Sequence, residues 1–409
     1  MSQRSDKVAS GSSRGSIPAY AGLRFSFIMA DESLDTPTPL PREAFRATES
    51  PTAEADLDCD ECGAPLRWSP DEGALHCEHC NAVKMVAVRD EVILERPLSE
   101  AGAAATGLGT DVRVTECETC GARVTFEGSS TSEACPFCGS AEVLAQEASR
   151  NAIRPESLIP LEVGRGIVEE TFRTWIGSLW FRPNAIKRTR KIEAVGVYVP
   201  AWTFDAAVHS DWSAQSGTYY WVTETYTVRV NGKTQLRTRQ VRKVRWWPSW
   251  GQRDDVHDDV LVIASRGIDE ELASSLGTFS TDGLVPYAPS YLAGWRAEEY
   301  QVDLEQGWVR GRELMRDIQQ SRCAADVPGD THRSLRVRNT FRDVRWKHVL
   351  LPMWSVTYDF RGKSYAVLIN GQSGEIAGRA PYSWVKISLA VIAGILLLAG
   401  GMAVMGHLR

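Results

Sequence analysis

Eight of the nine cysteines fall into four Cys-x-x-Cys pairs, and the pairs form two matched sets. Cys59, Cys62, Cys77 and Cys80 make the first; Cys117, Cys120, Cys135 and Cys138 repeat it with every position shifted by 58 residues. The likeness extends past the cysteines, since Cys62-Gly63-Ala64 returns as Cys120-Gly121-Ala122. This is an internal duplication. Each pair bends the backbone into a knuckle that offers two thiolates to one ion. Two knuckles close a tetrahedral shell at roughly 2.3 Å per Zn–S bond. Gly63, Gly121 and Gly139 follow second cysteines, where a small residue lets backbone N–H groups approach the sulfur. The expectation is two structural Zn2+ ions held by all eight cysteines. Each would supply folding energy on the order of 10 kcal/mol to a unit with little core. Four thiolates leave no open coordination position for catalysis. Iron in the same shells, carrying electrons, is an alternative, as is thiol–disulfide exchange. His76 and His79 flank Cys77 and Cys80 but have no counterpart in the second set, so they are read as bystanders. Cys323 stands alone and reads as a plain buried or half-buried thiol. Paired thiols in a long chain are metal ligands rather than a disulfide framework and indicate a reducing compartment, the cytoplasm.

A second constellation is basic and aromatic. Arg237, Arg239, Arg242, Lys243 and Arg245 run into Trp246, Trp247 and Trp250. Such a run can contact single-stranded nucleic acid or anionic lipid headgroups. The plainer reading is one arm of a two-sided hairpin with its tryptophans in the core. Asp254, Asp255, His257, Asp258 and Asp259 form an acidic cluster, able to attract a divalent cation but read as an exposed acidic turn. Gly232-Lys233-Thr234 and Gly362-Lys363-Ser364 resemble the end of a phosphate loop. Thr227 and Thr357 stand where its first glycine belongs, and both segments suit hairpin turns rather than strand-to-helix junctions. No Gly-x-Ser-x-Gly nucleophile elbow is recognised, since the string Gly11-Ser12-Ser13-Arg14-Gly15 falls in the Ser-rich N-terminal stretch without a strand-to-helix pattern about it, and His-Glu-x-x-His and dinucleotide fingerprints are missing from the sequence. The chain is therefore read as non-enzymatic, with no small-molecule substrate.

Charge weighs against nucleic acid at the cysteine-rich part. Formal net charge is −6 overall, distributed as −3 over residues 1–58, −9 over 59–150 and +6 over 151–409. Phosphate binding needs clustered Lys and Arg, and the seven in 59–150 are scattered. Protein partners fit these ribbons better.

The elements that must position these groups follow from periodicity. The apolar fraction of 43% is that of a globular protein, and 409 residues allow two or three folded units. Residues 1–57, rich in Ser, Pro, Thr, Glu and Ala, read as a disordered tether; Met29 is an alternative start to Met1. Residues 58–97 and 111–146 carry the two ribbons. Residues 150–381 read as a β-rich α+β body. Within it, Val168, Phe172, Trp175, Ile176 and Leu179 share one face of a helix over Leu161–Trp180. Tyr219–Val230 and Lys233–Val244 form a hairpin about Asn231-Gly232. A second helix is expected over Leu304–Arg322. A last hairpin joins Met353–Phe360 to Ser364–Ile369 through Arg361-Gly362-Lys363.

Ile387–Gly406 is a run of twenty uncharged residues. At 1.5 Å per residue it spans about 30 Å, the thickness of the hydrocarbon core. Tyr382 and Trp384 suit the interfacial belt, and Lys386 marks the near side. The reading is a single-pass, tail-anchored helix over 386–407 in the cytoplasmic (inner) membrane, in contact with lipid through 387–406. Arg379, Lys386 and the reduced thiols favour a cytoplasmic body. Ala390-x3-Gly394 and Ala399-x3-Ala403 are spaced to pack another helix, though such pairs are common in membrane helices.

Further segments carry a family resemblance: Gly196–Asp205 (GVYVPAWTFD), Val285-Pro-Tyr287, Tyr291–Gly294, Leu350–Trp354 and Arg379–Trp384. With the cysteine pairs they cover residues 55–386. The chain resembles the bacterial membrane-anchored double zinc-ribbon proteins. These often carry the labels "TFIIB-type zinc ribbon-containing" or "primosomal protein N′, superfamily II helicase". The resemblance implies zinc at the eight cysteines and partners such as phage-shock-protein-A-like envelope stress proteins. The helicase label does not fit the residues, since a motor needs a phosphate loop and an acidic Mg2+ motif. The functional expectation is a membrane-anchored zinc-ribbon scaffold or adaptor recruiting proteins to the membrane face. The alternatives are a membrane-tethered nucleic-acid-binding protein and an iron-loaded electron carrier.

Overall fold

The computed structural model describes residues 57–86, 93–103, 113–126, 135–138, 140, 143–147, 152–188, 192–230, 233–268, 272–273 and 275–407. Residues 1–56 of the expected tether, Gly139 and the Asn231-Gly232 turn lie outside them. The order along the chain is β1 (Arg67–Ser69), β2 (Ala74–His76), β3 (Val83–Lys84), β4 (Arg96–Pro97), β5 (Arg113–Cys117), β6 (Arg123–Phe126), β7 (Val143–Glu147) and β8 (Ser157–Leu158). Then come α1 (Arg165–Ser178), β9 (Glu193–Val230), β10 (Lys233–Ile263), β11 (Val285–Pro286), β12 (Arg296–Ala297) and α2 (Leu304–Asp326). Last are β13 (Thr331–Phe360), β14 (Lys363–Asn370), β15 (Ile376–Gly378) and the apolar helix α3 (Trp384–His407). The architecture is mixed α and β and strand-rich, with β1–β3 and β5–β7 forming two small sheets beside a nine-stranded one.

The large sheet, ordered β10-β9-β13-β14-β15 along its main path, is dominated by strands of 38, 31 and 30 residues. Ordinary strands have about three to ten residues. At roughly 3.3 Å per residue, β9 has a contour of about 125 Å. It pairs antiparallel with β10 from Ala201 to Val230 and with β13 from Glu193 to Gly217. Register shifts fall between His257 and Val260, Arg333 and Arg336, and Arg342 and Arg345. Such bulges let long paired strands bend and take up twist. Past Gly217, among the described residues, β9 and β10 alone continue, as a two-stranded arm. The expected hairpin register holds: Tyr219 faces Val244 and Val230 faces Lys233. The strands extend far beyond the expected ends, because residues 197–206 are buried on both faces and show no alternation to read.

Helix α2 covers one face of the arm's root. Asp303 caps it by accepting a hydrogen bond from the Gln306 N–H at 2.8 Å. Its glycines let it come close to the sheet, Gly307 over Trp202 and Gly311 over Phe204. Farther out Cys323 is fully buried beside Trp212, Ala214 and Val327. Arg253 and Arg322 converge on Asp255 at 2.5 and 2.9 Å, and Arg253 also reaches Asp326 at 2.7 Å. The Arg253 hydrogen bonds, outweighing burial, draw the Asp255 carboxyl down to about 2.

Helix α1 buries Val168, Phe172 and Ile176, the expected stripe. It starts at Arg165 rather than Leu161 because the preceding residues bond the sheet: the Leu161 N–H donates to the Tyr198 hydroxyl and that of Val163 to the Gly371 carbonyl. Three further expectations are corrected. Phe360 pairs with Lys363, so the last hairpin turns on Arg361-Gly362 alone, both at left-handed φ of 54° and 73°. Residues 254–259 are strand, not a turn, with Asp255 ion-paired and His257 buried against Gln319 at 3.0 Å. Trp247 and Trp250 are exposed rather than core.

Candidate metal centres

Three of the four knuckles are described through the residue after the second cysteine, and they share one hydrogen-bond scheme. The Cys59, Cys77 and Cys117 N–H groups donate to the Ala64, Ala82 and Ala122 carbonyls at 2.8–2.9 Å. Their own carbonyls accept from Gly63, Asn81 and Gly121. Those three acceptor-closing residues have φ of 69°, 60° and 77°, the left-handed region that glycine and, next, asparagine occupy at least cost. The fourth knuckle keeps the first bond, Cys135 N–H to Ser140 carbonyl at 2.7 Å.

The knuckles bring four sulfurs together twice. Cys59–Cys80, Cys62–Cys77 and Cys117–Cys138 sulfurs lie 3.5 Å apart, and Cys120–Cys135 3.6 Å. A disulfide needs about 2.05 Å. The edge of a tetrahedron with 2.3 Å metal–sulfur bonds is about 3.8 Å, so the spacing suits one ion per shell. All four sulfurs in each cluster lie within 4.8 Å of one another. His76 instead sits beside Glu72 at 4.0 Å. Protonation also suits a cation. The Cys120 hydrogen bond first, then the Cys138 and Phe137 N–H groups, draw Cys135 down to about 5 against burial. Burial and the Cys135 charge push Cys138 up to about 12. The Cys135 hydrogen bond and burial likewise raise Cys120. In the first shell the Cys80 N–H leads in drawing Cys77 down to about 6. Against the Ala82 N–H, the Cys59 sulfur and burial push Cys80 up to about 12. Crowding thus makes Cys77 and Cys135 easily ionised and disfavours the thiolates of Cys80, Cys120 and Cys138. A bound dication removes that penalty.

Both ribbons are built into the body. Trp68 packs on Tyr291 with centroids 4.7 Å apart, and its indole N–H donates to the Leu161 carbonyl at 3.1 Å. The Trp295 indole N–H donates to the Trp68 carbonyl at 2.8 Å. In the second ribbon Cys117, Ala122, Val124, Cys135 and Phe137 share one apolar cluster with Val199, Met353 and Leu368. Arg123 pairs with Glu299 at 3.2 Å, and Thr125 accepts from the Ala297 N–H at 2.9 Å.

The basic run lies on the arm. Arg237, Arg239, Lys243 and Arg245 face Tyr226, Glu224, Tyr220 and Thr218 across the ladder and share one side of it; Arg242 lies on the other. Glu224 binds Lys243 at 3.0 Å and Arg239 at 3.3 Å, and these bonds pull its carboxyl below the usual range. Guanidinium groups cover aromatic faces: Arg242 over Tyr219 at 4.2 Å, Arg239 over Tyr226 and Arg245 over Tyr220 both at 5.4 Å. Strand β13 adds Arg333, over Trp246 at 4.2 Å, and the exposed Arg336, Arg338 and Arg342. Sequence reading missed these, although arginine at alternate positions of a strand was a usable signal.

Helix α3 is long and apolar enough to cross a membrane, and none of its apolar window is buried. Its root is tied down. Lys386 donates to the Asn184 side chain at 2.7 Å and the Trp180 carbonyl at 3.1 Å. The Ser383 N–H donates to the Phe181 carbonyl, and Arg182 lies 3.6 Å over the Tyr382 ring. Exposed Trp180 and Phe181 thereby join Tyr382 and Trp384 in one aromatic collar, twice what the sequence reading assembled.

No protein-family model matches the chain, and no solved structure matches it. Over 266 residues the chain is 27% identical to the uncharacterized protein YdjG of Bacillus subtilis strain 168, an alignment covering 64% of this chain and 72% of that protein.

Proposed function

We propose that the protein is a non-enzymatic adaptor, anchored by helix α3 in the cytoplasmic membrane, with structural Zn2+ in both sulfur shells and a basic arm that receives protein partners. The observation that carries this reading is how the chemistry is distributed. The sulfur shells sit against the body's core with all four positions filled by thiolates, while the arm's charged and aromatic side is left open to solvent. Such a shell supplies folding energy and rigidity, not a substrate position. The exposed apolar helix and its aromatic collar support a membrane anchor, and reduced thiols support a body on the cytoplasmic side. The resemblance to membrane-anchored double zinc-ribbon proteins makes phage-shock-protein-A-like proteins the first partners to seek. Affinity capture of the full chain from detergent extract tests this, with recovery of the bait alone counting against it. Metal analysis of the same material is expected to give two zinc ions per chain; visible absorption from bound iron would replace this metal assignment with the electron-carrier reading.

A second reading, nucleic-acid binding, is favoured by the row of arginines on the arm. Two facts weigh against it: Glu224 already neutralises part of the charge, and guanidinium groups cover the tyrosine faces on which bases would stack. A salt-dependent gel shift of single-stranded DNA by the full chain in detergent would revive it.

A further inference from the structure

Four carboxylates converge at the arm's root, away from the sulfur shells. Asp205 lies on the central strand β9. On one side of it β10 leaves register between His257 and Val260, so Asp258 and Asp259 form an excess pair opposite it. Asp259 takes a left-handed φ of 52° and gives its N–H to Asp205 Oδ1 at 2.6 Å. Glu95 enters from the segment joining the two ribbons, held by the pairing of Arg96 with Trp346 on β13. One ligand oxygen from each of the four carboxylates lies within 4.8 Å of all the others.

A second observation points into this cluster. Asp205 is only 9% exposed, and its Oδ2 is buried without a hydrogen-bond partner among the described residues. A buried carboxylate oxygen in that state lacks a compensating ligand. Charge leads to the same place. Lys347 lies 2.7 Å from Asp259 and 3.1 Å from Glu95. Four carboxylates against this one ammonium leave an excess of negative charge that a dication offsets.

We infer that Glu95, Asp205, Asp258 and Asp259 bind a single hard divalent cation of the Ca2+ class. Carboxylate oxygens select Ca2+ or Mg2+ over softer metals. Oxygens bound to one Ca2+ at 2.3–2.6 Å spread over about 5 Å, whereas Mg2+ at 2.0–2.1 Å requires a tighter set. Asp258 is exposed and gives the ion access from water. The bound ion clamps the inter-ribbon segment, through Glu95, to the root of the arm.

The test is calorimetric titration of CaCl2 and of MgCl2 into the zinc-loaded full chain in detergent, with thermal unfolding alongside. One Ca2+ per chain is expected, with a rise in unfolding temperature. Asp258→Asn removes an exposed ligand without touching the core and should weaken Ca2+ by about tenfold or more while keeping the zinc content. Asp254→Asn, an exposed acid on the same strand outside the cluster, should leave the affinity unchanged. Absence of saturable binding, equal affinity in wild type and Asp258→Asn, or tighter binding of Mg2+ than of Ca2+ would each overturn the assignment.

Discussion

Replacing Gly307 by alanine sets two well-understood effects against each other. In a helix interior the change gains about 1 kcal/mol of propensity. The new Cβ, however, would lie 2.5 Å from Trp202 Cδ1 and 3.2 Å from its Cγ and Nε1. Ordinary contact begins near 3.4 Å, so about 1 Å of relief must be found. Trp202 cannot give it. The side chain is fully buried, its indole N–H donates to the Val302 carbonyl at 2.8 Å, and it packs on His348, Tyr300 and Trp346 at 4.7, 5.1 and 5.7 Å. Overpacking costs about 1–3 kcal/mol, and a site this confined belongs at the upper end. The net expectation is a loss of about 2 kcal/mol. Gly166→Ala is the control, since Gly166 is exposed in α1 and a Cβ there meets nothing within 4 Å; it should gain a few tenths to about 1 kcal/mol. Urea unfolding of the zinc-loaded chain, followed by tryptophan fluorescence, measures both. If Gly307→Ala is as stable as Gly166→Ala, the close packing of α2 on Trp202 is wrong.

Cys135→Ser should reduce bound zinc from two ions to one and expose the second ribbon to limited proteolysis, because Cys135 and Phe137 sit in the body's core; two ions retained would refute the shell. Burial holds the His348 imidazole down to about 4, even though its Nδ1–H donates to the Ile153 carbonyl. Its contribution is therefore complete above the unfolded pKa of about 6.5 and is lost as pH falls toward 4, about 3 kcal/mol in all. Comparing His348→Gln with wild type over that range isolates this term from thiolate protonation, and identical pH slopes would exclude it. Deleting residues 384–407 should move the chain from the membrane to the soluble fraction with both zinc ions retained; a chain that stays with the membrane shows another anchor.

The metal shells were legible because every ligand lies within 22 residues of its partners and the chemistry is local. The way the ribbons dock was not, since Trp68 meets Leu161 across 93 residues and no spacing encodes that. The turn at Asn231-Gly232 carried the register of the arm, but the length of β9 was hidden where both its faces are buried. The acidic run was read as a turn because four aspartates in six residues suit one. Pairing with Asp205 and the arginines of α2 and β10 keeps it a strand, and only the bulge at Asp258-Asp259 departs from regular geometry.

The continuity of β9 from Val197, beside the second sulfur shell, to Val230 at the hairpin has a mechanical consequence. Thirty-odd residues of paired backbone make a beam of roughly 100 Å. A tilt of about 5° at Ala214, where α2 ceases to grip it, would swing the far end, roughly 50 Å away, by about 5 Å. Small rearrangements at the ribbons or at Asp205 would thus be magnified into displacements of several ångströms at the arm's tip.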